Sequence, residues 1–345
     1  MIDVALVQPS GLLRRWWGFS APITLGAGAI ALVSPAPLRV GQALLLAGTL
    51  ALLLVYAALW RRQASAAIAI QVLGAAAGAG AAALWLGGAP VATSLPWLAA
   101  FLVLTIAGER VELSRVDGVT PVQENQALGA SWLLVVAVVA ATLWPATGHV
   151  LLGGALLVLV AWLVSHDVVR RTVRASGATR FMAWCLIGGY VWLTVAGLVW
   201  LLVGHVPDGQ AYDAVVHAIF LGFVLSMIMA HASVILPAVL RTPLPYRPVF
   251  YAPVILLHAS LALRLAVGDL RGQAWALQLG GALNIVAVLL FFALAVGSAV
   301  VAARSGARAV TGERPAAAAP TSAASTASTD RSIAPIPPST LESAR

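Results

Sequence analysis

The sequence predicts an all-α, polytopic integral membrane protein: a bundle of about ten transmembrane helices with both termini on the cytoplasmic side. Three observations carry that prediction. Of 345 residues, 61% are hydrophobic and only 9% are charged, against roughly 25% charged in a soluble domain. The apolar residues gather in runs of about 20, the length a helix needs to cross the hydrocarbon core. All twenty basic residues are arginines, placed between those runs. A net charge of +8 in a soluble chain would suggest nucleic acid; arranged this way it suggests membrane orientation, so the expected partner is the lipid bilayer and not nucleic acid.

Arginine pairs, prolines and glycine-rich breaks bound ten segments: 16–34, 38–60, 64–87, 95–111, 127–146, 149–168, 180–204, 212–240, 250–268 and 275–303. The fourth is short, ends on Glu109 and is the one expected to lie partly at the interface. Alternating sides collects seventeen arginines on one face, from Arg14 and Arg15 through Arg110, Arg170 and Arg171 to the tail, and leaves Arg39, Arg264 and Arg271 on the other. The seventeen-arginine face is expected to be cytoplasmic, in a bacterial inner membrane. Residues 1–13 have no basic stretch before their apolar residues and no small-residue cleavage pattern, so no removable signal peptide is expected. The transmembrane domain is 1–303. In 304–345 the composition turns to Ala, Pro, Ser and Thr, which offers no apolar face to order, so a disordered cytoplasmic tail is expected.

Trp60, Trp97, Trp144 and Trp275 fall near segment ends, where an indole prefers the headgroup level. Gly74 and Gly78, four apart, allow another helix to approach closely. The lone Cys185 can form no internal disulfide and reads as a small apolar residue.

Ionisable residues inside spans are functional candidates by default, because burial in lipid must be offset by a partner or a ligand. His149, His166 and His205 fall at segment ends and read as interfacial. His217, His231 and His258 fall inside the eighth and ninth segments. His217 and His231 are fourteen residues apart, four turns less 40°, so one helix face presents two imidazoles about 21 Å apart. Counting inwards from the intervening turn, His231 and His258 come out at similar depth. Two imidazoles at one level can supply both axial ligands of a haem, or two ligands of a copper ion; hydrogen bonding to neighbouring helices is the plainer reading. Arg264, level with His217, can hold a haem propionate or pair with Asp213 or Asp269. Glu109, Arg110, Glu112 and Arg115 read as a solvated helix end, and Gln71 and Asn284 as interhelical hydrogen-bonding groups.

Sequence motifs for phosphate loops or HExxH metal sites are absent. The run "HAIFLGFVLSMIMAHASVILPAVLRTPLPYRP", followed by "LLHASLAL", resembles the NnrS family of bacterial haem- and copper-containing membrane proteins linked to nitric-oxide stress, themselves distantly similar to haem–copper oxidase subunit I. The likeness covers about the seventh to ninth segments and departs in span count, ten here against about twelve. It implies haem ligation by His217, His231 or His258, with copper as a second cofactor and a small gaseous ligand or redox partner for electron transfer. The rival expectations are a cofactor-free proton- or metal-coupled transporter and an assembly factor acting through its tail.

Overall fold

The computed structural model describes residues 16–240 and 245–310. The N-terminal stretch with Arg14 and Arg15, Arg241, and the tail beyond 310 lie outside the described residues. The chain divides into two units, Met1–Arg304, which holds the bundle, and Ser305–Arg345. Among the described residues all regular structure is helical: α1 (Ser20–Leu32), α2 (Leu38–Arg62), α3 (Ala66–Leu86), α4 (Val91–Ser114), α5 (Pro121–Leu143), α6 (Pro145–His166), the short α7 (Val169–Thr172), α8 (Gly177–Val203), α9 (Gly209–His217), α10 (Ser226–Leu240), α11 (Tyr251–Leu263) and α12 (Ala274–Val310). A π-helical stretch, Ala218–Leu225, joins α9 to α10, and a second, Arg264–Asp269, continues α11.

Nine of these helical stretches are long and apolar enough to cross a membrane; the protein is a polytopic helical membrane bundle. The first expected span is shorter than predicted. Its helix has 13 residues, about 20 Å of rise against a core of about 30 Å, because a 3₁₀ turn, Trp16–Phe19, takes up the expected start and Pro35 and Pro37 close the other end, where a proline ring cannot continue a helix. The fourth is longer than predicted: α4 has 24 residues and is no interfacial fragment. Its charged end stays helical because Arg110 is buried and paired.

Local sequence sets the helix starts. Ser65 Oγ accepts a bond from the Ile68 amide at 3.2 Å. Thr120 and Gln123 exchange side-chain and backbone bonds ahead of α5, with Pro121 at the first helical position, satisfying amide donors that the helix itself leaves unpaired.

Lipid is as apolar as leucine, so close packing rests on small residues. α3 packs along α4, and a Cβ at Gly74 would lie 2.9 Å from the Thr105 amide nitrogen. α6 packs along α8, and a Cβ at Gly153 would come within 2.3 Å of the Leu201 nitrogen. Leu104, Leu159, Leu193, Trp200 and Phe223 fill the interior, and Cys185 lies in a second apolar cluster with Phe181 and Phe291. Leu54, Val136, Leu151 and Leu289 are exposed, as a lipid-facing surface requires. Trp60, Trp144 and Trp275 are exposed as well, whereas Trp97 turns inwards and donates its indole N–H to Thr142 Oγ1 at 2.8 Å.

Charge pairs tie one end of the bundle: Arg115 to Glu124 at 2.6 Å and Arg171 to Asp117 at 3.1 Å. That arginine-rich end holds the C-termini of α4 and α6; the opposite end holds the start of α9 and the close of α11.

Candidate functional site

At the end away from the arginines, α9 stops at His217 and the chain widens into its first π-helical stretch, while Arg264 opens the second. Such widened turns open the i to i+4 ladder and recur at functional positions. His217 Nδ1 donates to the Asp213 carbonyl at 2.9 Å and lies 3.3 Å from the Asp213 carboxylate. That carboxylate accepts from Arg264 Nε at 3.1 Å and from Nη2 at 3.0 and 2.9 Å, and Arg264 Nη1 donates to the Leu277 carbonyl at 3.1 Å. Gly281 makes room for the guanidinium, since a Cβ there would lie 2.9 Å from Nη1.

His217 and Arg264 line a cavity of about 410 Å³ with Leu221, Asn284, Ile285 and Leu289, a size within the usual range of ligand pockets. Asn284 is 3% exposed. Its Oδ1 accepts from Ser260 Oγ at 2.6 Å, the interhelical bond expected of it, but its Nδ2 has no partner among the described residues. A buried donor left unpaired costs free energy. The site therefore combines an imidazole in a fixed tautomer, a cation, an orphaned amide and apolar walls.

His231 lies at the arginine-rich end. Its Nδ1 donates to the Met227 carbonyl at 2.8 Å, leaving Nε2 3.5 Å from Arg110 Nη1. Arg110 is no solvated helix end: it is 3% exposed, and Asp167 beside it 2%. Two bonds of 2.8 and 2.7 Å join the pair in a parallel fork, and Tyr190 and the Val169 amide also donate to Asp167, at 2.5 and 2.9 Å. Burial pushes the Asp167 carboxyl up, but the Arg110 bonds and charge, with the Tyr190 and Val169 donors, outweigh it and hold the group below its ordinary value. On the far side Asp167 borders a polar cavity of about 440 Å³ with His166, Arg170 and Arg174.

His258 has a third setting. The Trp192 indole N–H donates to its Nδ1 at 2.8 Å, and its Nε2 lies 3.5 Å from Ser226 Oγ. An indole can only donate, so Nδ1 is the acceptor and Nε2 carries the proton of the neutral ring. His258 is thus set as a hydrogen-bond donor, the reverse of His217 and His231. Its ring is level with Ser226, five residues before His231. Five residues turn a helix by 500° and advance it about 7.5 Å, so the face of α10 that meets His258 is not the face that carries His231. The similar depth expected from counting is corrected accordingly, because the chain re-enters through a 3₁₀ turn, Pro248–Phe250, before α11 begins.

The structure therefore brings His217 and Arg264 together and gives His231 and His258 separate partners. Among the described residues no group of three or more His, Cys, Asp or Glu side chains is arranged to hold a metal ion. His149 departs from its interfacial reading: it is 5% exposed and meets His205. Asp213, Asp167 and Tyr190 went unassigned in the sequence as site residues. Asp213 was detectable from its i to i+4 spacing to His217; Asp167 and Tyr190 gain their meaning only from long-range packing against Arg110.

Neither a curated protein nor a solved structure shows significant similarity to the chain. The profile of one family, described as Domain of unknown function (DUF8744), matches residues 4–300, and the chain belongs to that family.

Proposed function

We propose that the protein is a multi-pass protein of a bacterial inner membrane, with the short α1 inserted as a tenth crossing beside the nine long spans and both termini therefore cytoplasmic, that binds haem through His217 and serves nitric-oxide or respiratory redox chemistry. The observation that carries this reading is the joint setting of His217 and Arg264 on one cavity of about 410 Å³. A haem calls for a neutral imidazole presenting Nε2 and apolar walls for its macrocycle, and His217 with Leu221, Ile285 and Leu289 fits both; the Arg264 charge is already met by Asp213. When bound, the group supplies one-electron exchange and binding of a small gaseous ligand.

The chain's own residues do the rest. Asp213 fixes the His217 tautomer through its backbone carbonyl. Arg264 holds Asp213 in place beside His217, and Ile285 and Leu289 supply apolar walls. His231 offers the same free Nε2 but faces the Arg110 guanidinium, which makes it the weaker ligand. The resemblance of residues 217–248 to the NnrS family supports the reading, and copper rests on that resemblance alone. The seventeen-arginine bias supports the orientation. An optical spectrum of the purified protein tests the proposal: a Soret band with stoichiometric haem supports it, and no band before or after haem addition removes it.

A second reading, a cofactor-free proton-coupled transporter, is favoured by the buried Arg110, Asp167, Tyr190 and His231 group, since intramembrane ionisable clusters mark proton and ion routes. Proton-coupled flux in haem-free vesicles would favour it over the first.

A further inference from the structure

We propose that His149 and His205 form a metal-ion site, separate from the haem cavity, that takes a borderline transition-metal cation of the Zn(II) class. His149 is the fifth residue of α6, and its Nδ1 donates to the Pro145 carbonyl at 2.8 Å. That bond fixes the tautomer and leaves Nε2 as a lone pair. His205 follows the end of α8, and its Nδ1 lies 3.5 Å from His149 Nε2. The rings are tilted by 57° with centroids 4.6 Å apart, so they meet at an angle and do not stack.

The chain is built to hold this approach. Gly204, between α8 and His205, has φ +82°, a conformation that residues with a side chain rarely adopt. It folds the chain back over α6, where a Cβ on it would lie 3.7 Å from the Ala146 carbonyl. The nitrogen separation is the second argument. A strong N–H to N hydrogen bond spans about 2.7–3.2 Å, so 3.5 Å is long for one. Two imidazole nitrogens bound to one ion at about 2.0–2.1 Å with tetrahedral angles lie about 3.4 Å apart, which matches. Both nitrogens are free to ligate, His149 Nε2 by its fixed tautomer and His205 Nδ1 when the ring carries its proton on Nε2. Access also fits: His205 is exposed and His149 is buried behind it, so water can fill the remaining positions of an open site.

The test uses full-length, tag-free protein in detergent, free of haem and stripped with EDTA, titrated with Zn(II) against a competing chelator dye. Stoichiometric binding is expected in the wild type and in His217→Ala, with affinity at least ~10-fold weaker in His205→Ala and His149→Gln. His205→Ala removes an exposed ring, so an unchanged unfolding temperature without metal shows that it folds. X-ray absorption of the zinc-loaded protein is expected to show imidazole nitrogens at about 2.0–2.1 Å. Wild type that binds no more Zn(II) than the His149→Gln/His205→Ala double variant overturns the site, as does His205→Ala binding as tightly as wild type. Because the protein carries no haem, either result is independent of the Soret measurement.

Discussion

Arg110 and Asp167, 57 positions apart, face each other through two parallel hydrogen bonds of 2.8 and 2.7 Å where water scarcely reaches. The fork joins the end of α4 to the residue just beyond α6, and Tyr190 adds α8 to the same carboxylate. Removing one partner leaves the other charge buried and uncompensated. Asp167→Ala should therefore destabilise the protein by about 3–5 kcal/mol, whereas replacing both residues with apolar ones of similar volume should recover most of that loss. Unfolding temperatures in detergent check both; equal losses in the single and double variants would contradict the pairing.

The same carboxylate sets a pH dependence. Its value in the folded protein lies below the ordinary 3.8, so the unfolded chain binds the proton more readily. The contribution of the pair is then fully present above about pH 4 and is lost as pH falls through the lower, folded value. The gap in unfolding temperature between wild type and Asp167→Asn should be constant from pH 7 to about 5 and shrink below about 4. A gap that widens on acidification contradicts the assignment.

Close helix contact at a glycine gives a third expectation. A Cβ at Gly153 would press against the α8 backbone at Leu201, and backbone cannot swing aside as a flexible side chain can. Gly153→Ala should cost about 1–3 kcal/mol, while Gly129→Ala, which meets nothing within 4 Å, should cost nothing measurable. Paired thermal melts of the two variants decide this.

Much of the fold was legible in the sequence because lipid permits so few solutions: apolar runs of spanning length, punctuated by arginines and prolines, locate the helices almost directly. Their ends were less legible. α1 is truncated by Pro35 and Pro37, and α4 outlasts its apolar run because Arg110 finds Asp167, a contact no local pattern encodes. The site divided in the same way. His217 and Arg264 could be matched by depth, since two consecutive helices fix that, but depth says nothing about which faces meet. His231 and His258 are thus turned to Arg110 and Trp192, and the tautomers that separate them follow from the Met227 carbonyl on the helix of His231 itself and from Trp192 on α8.

Asn284 offers a test with an uncommon sign. Its Nδ2 is buried without a partner, so Asn284→Leu removes an unsatisfied donor and should leave the ligand-free protein within about 1 kcal/mol of wild type, or more stable. The same change should weaken haem retention, because Asn284 lines the cavity beside His217. Haem off-rates measured by transfer to an acceptor globin would show it; a large loss of stability with no change in haem retention would contradict the role.

The most direct test of the central claim is haem titration of the purified wild type, His217→Ala and His166→Ala, followed by Soret absorbance. Wild type and His166→Ala should both develop the band, and His217→Ala should lose it or shift it with weakened binding. A wild type that stays transparent, or a His217→Ala spectrum indistinguishable from wild type, would contradict haem ligation at this cavity.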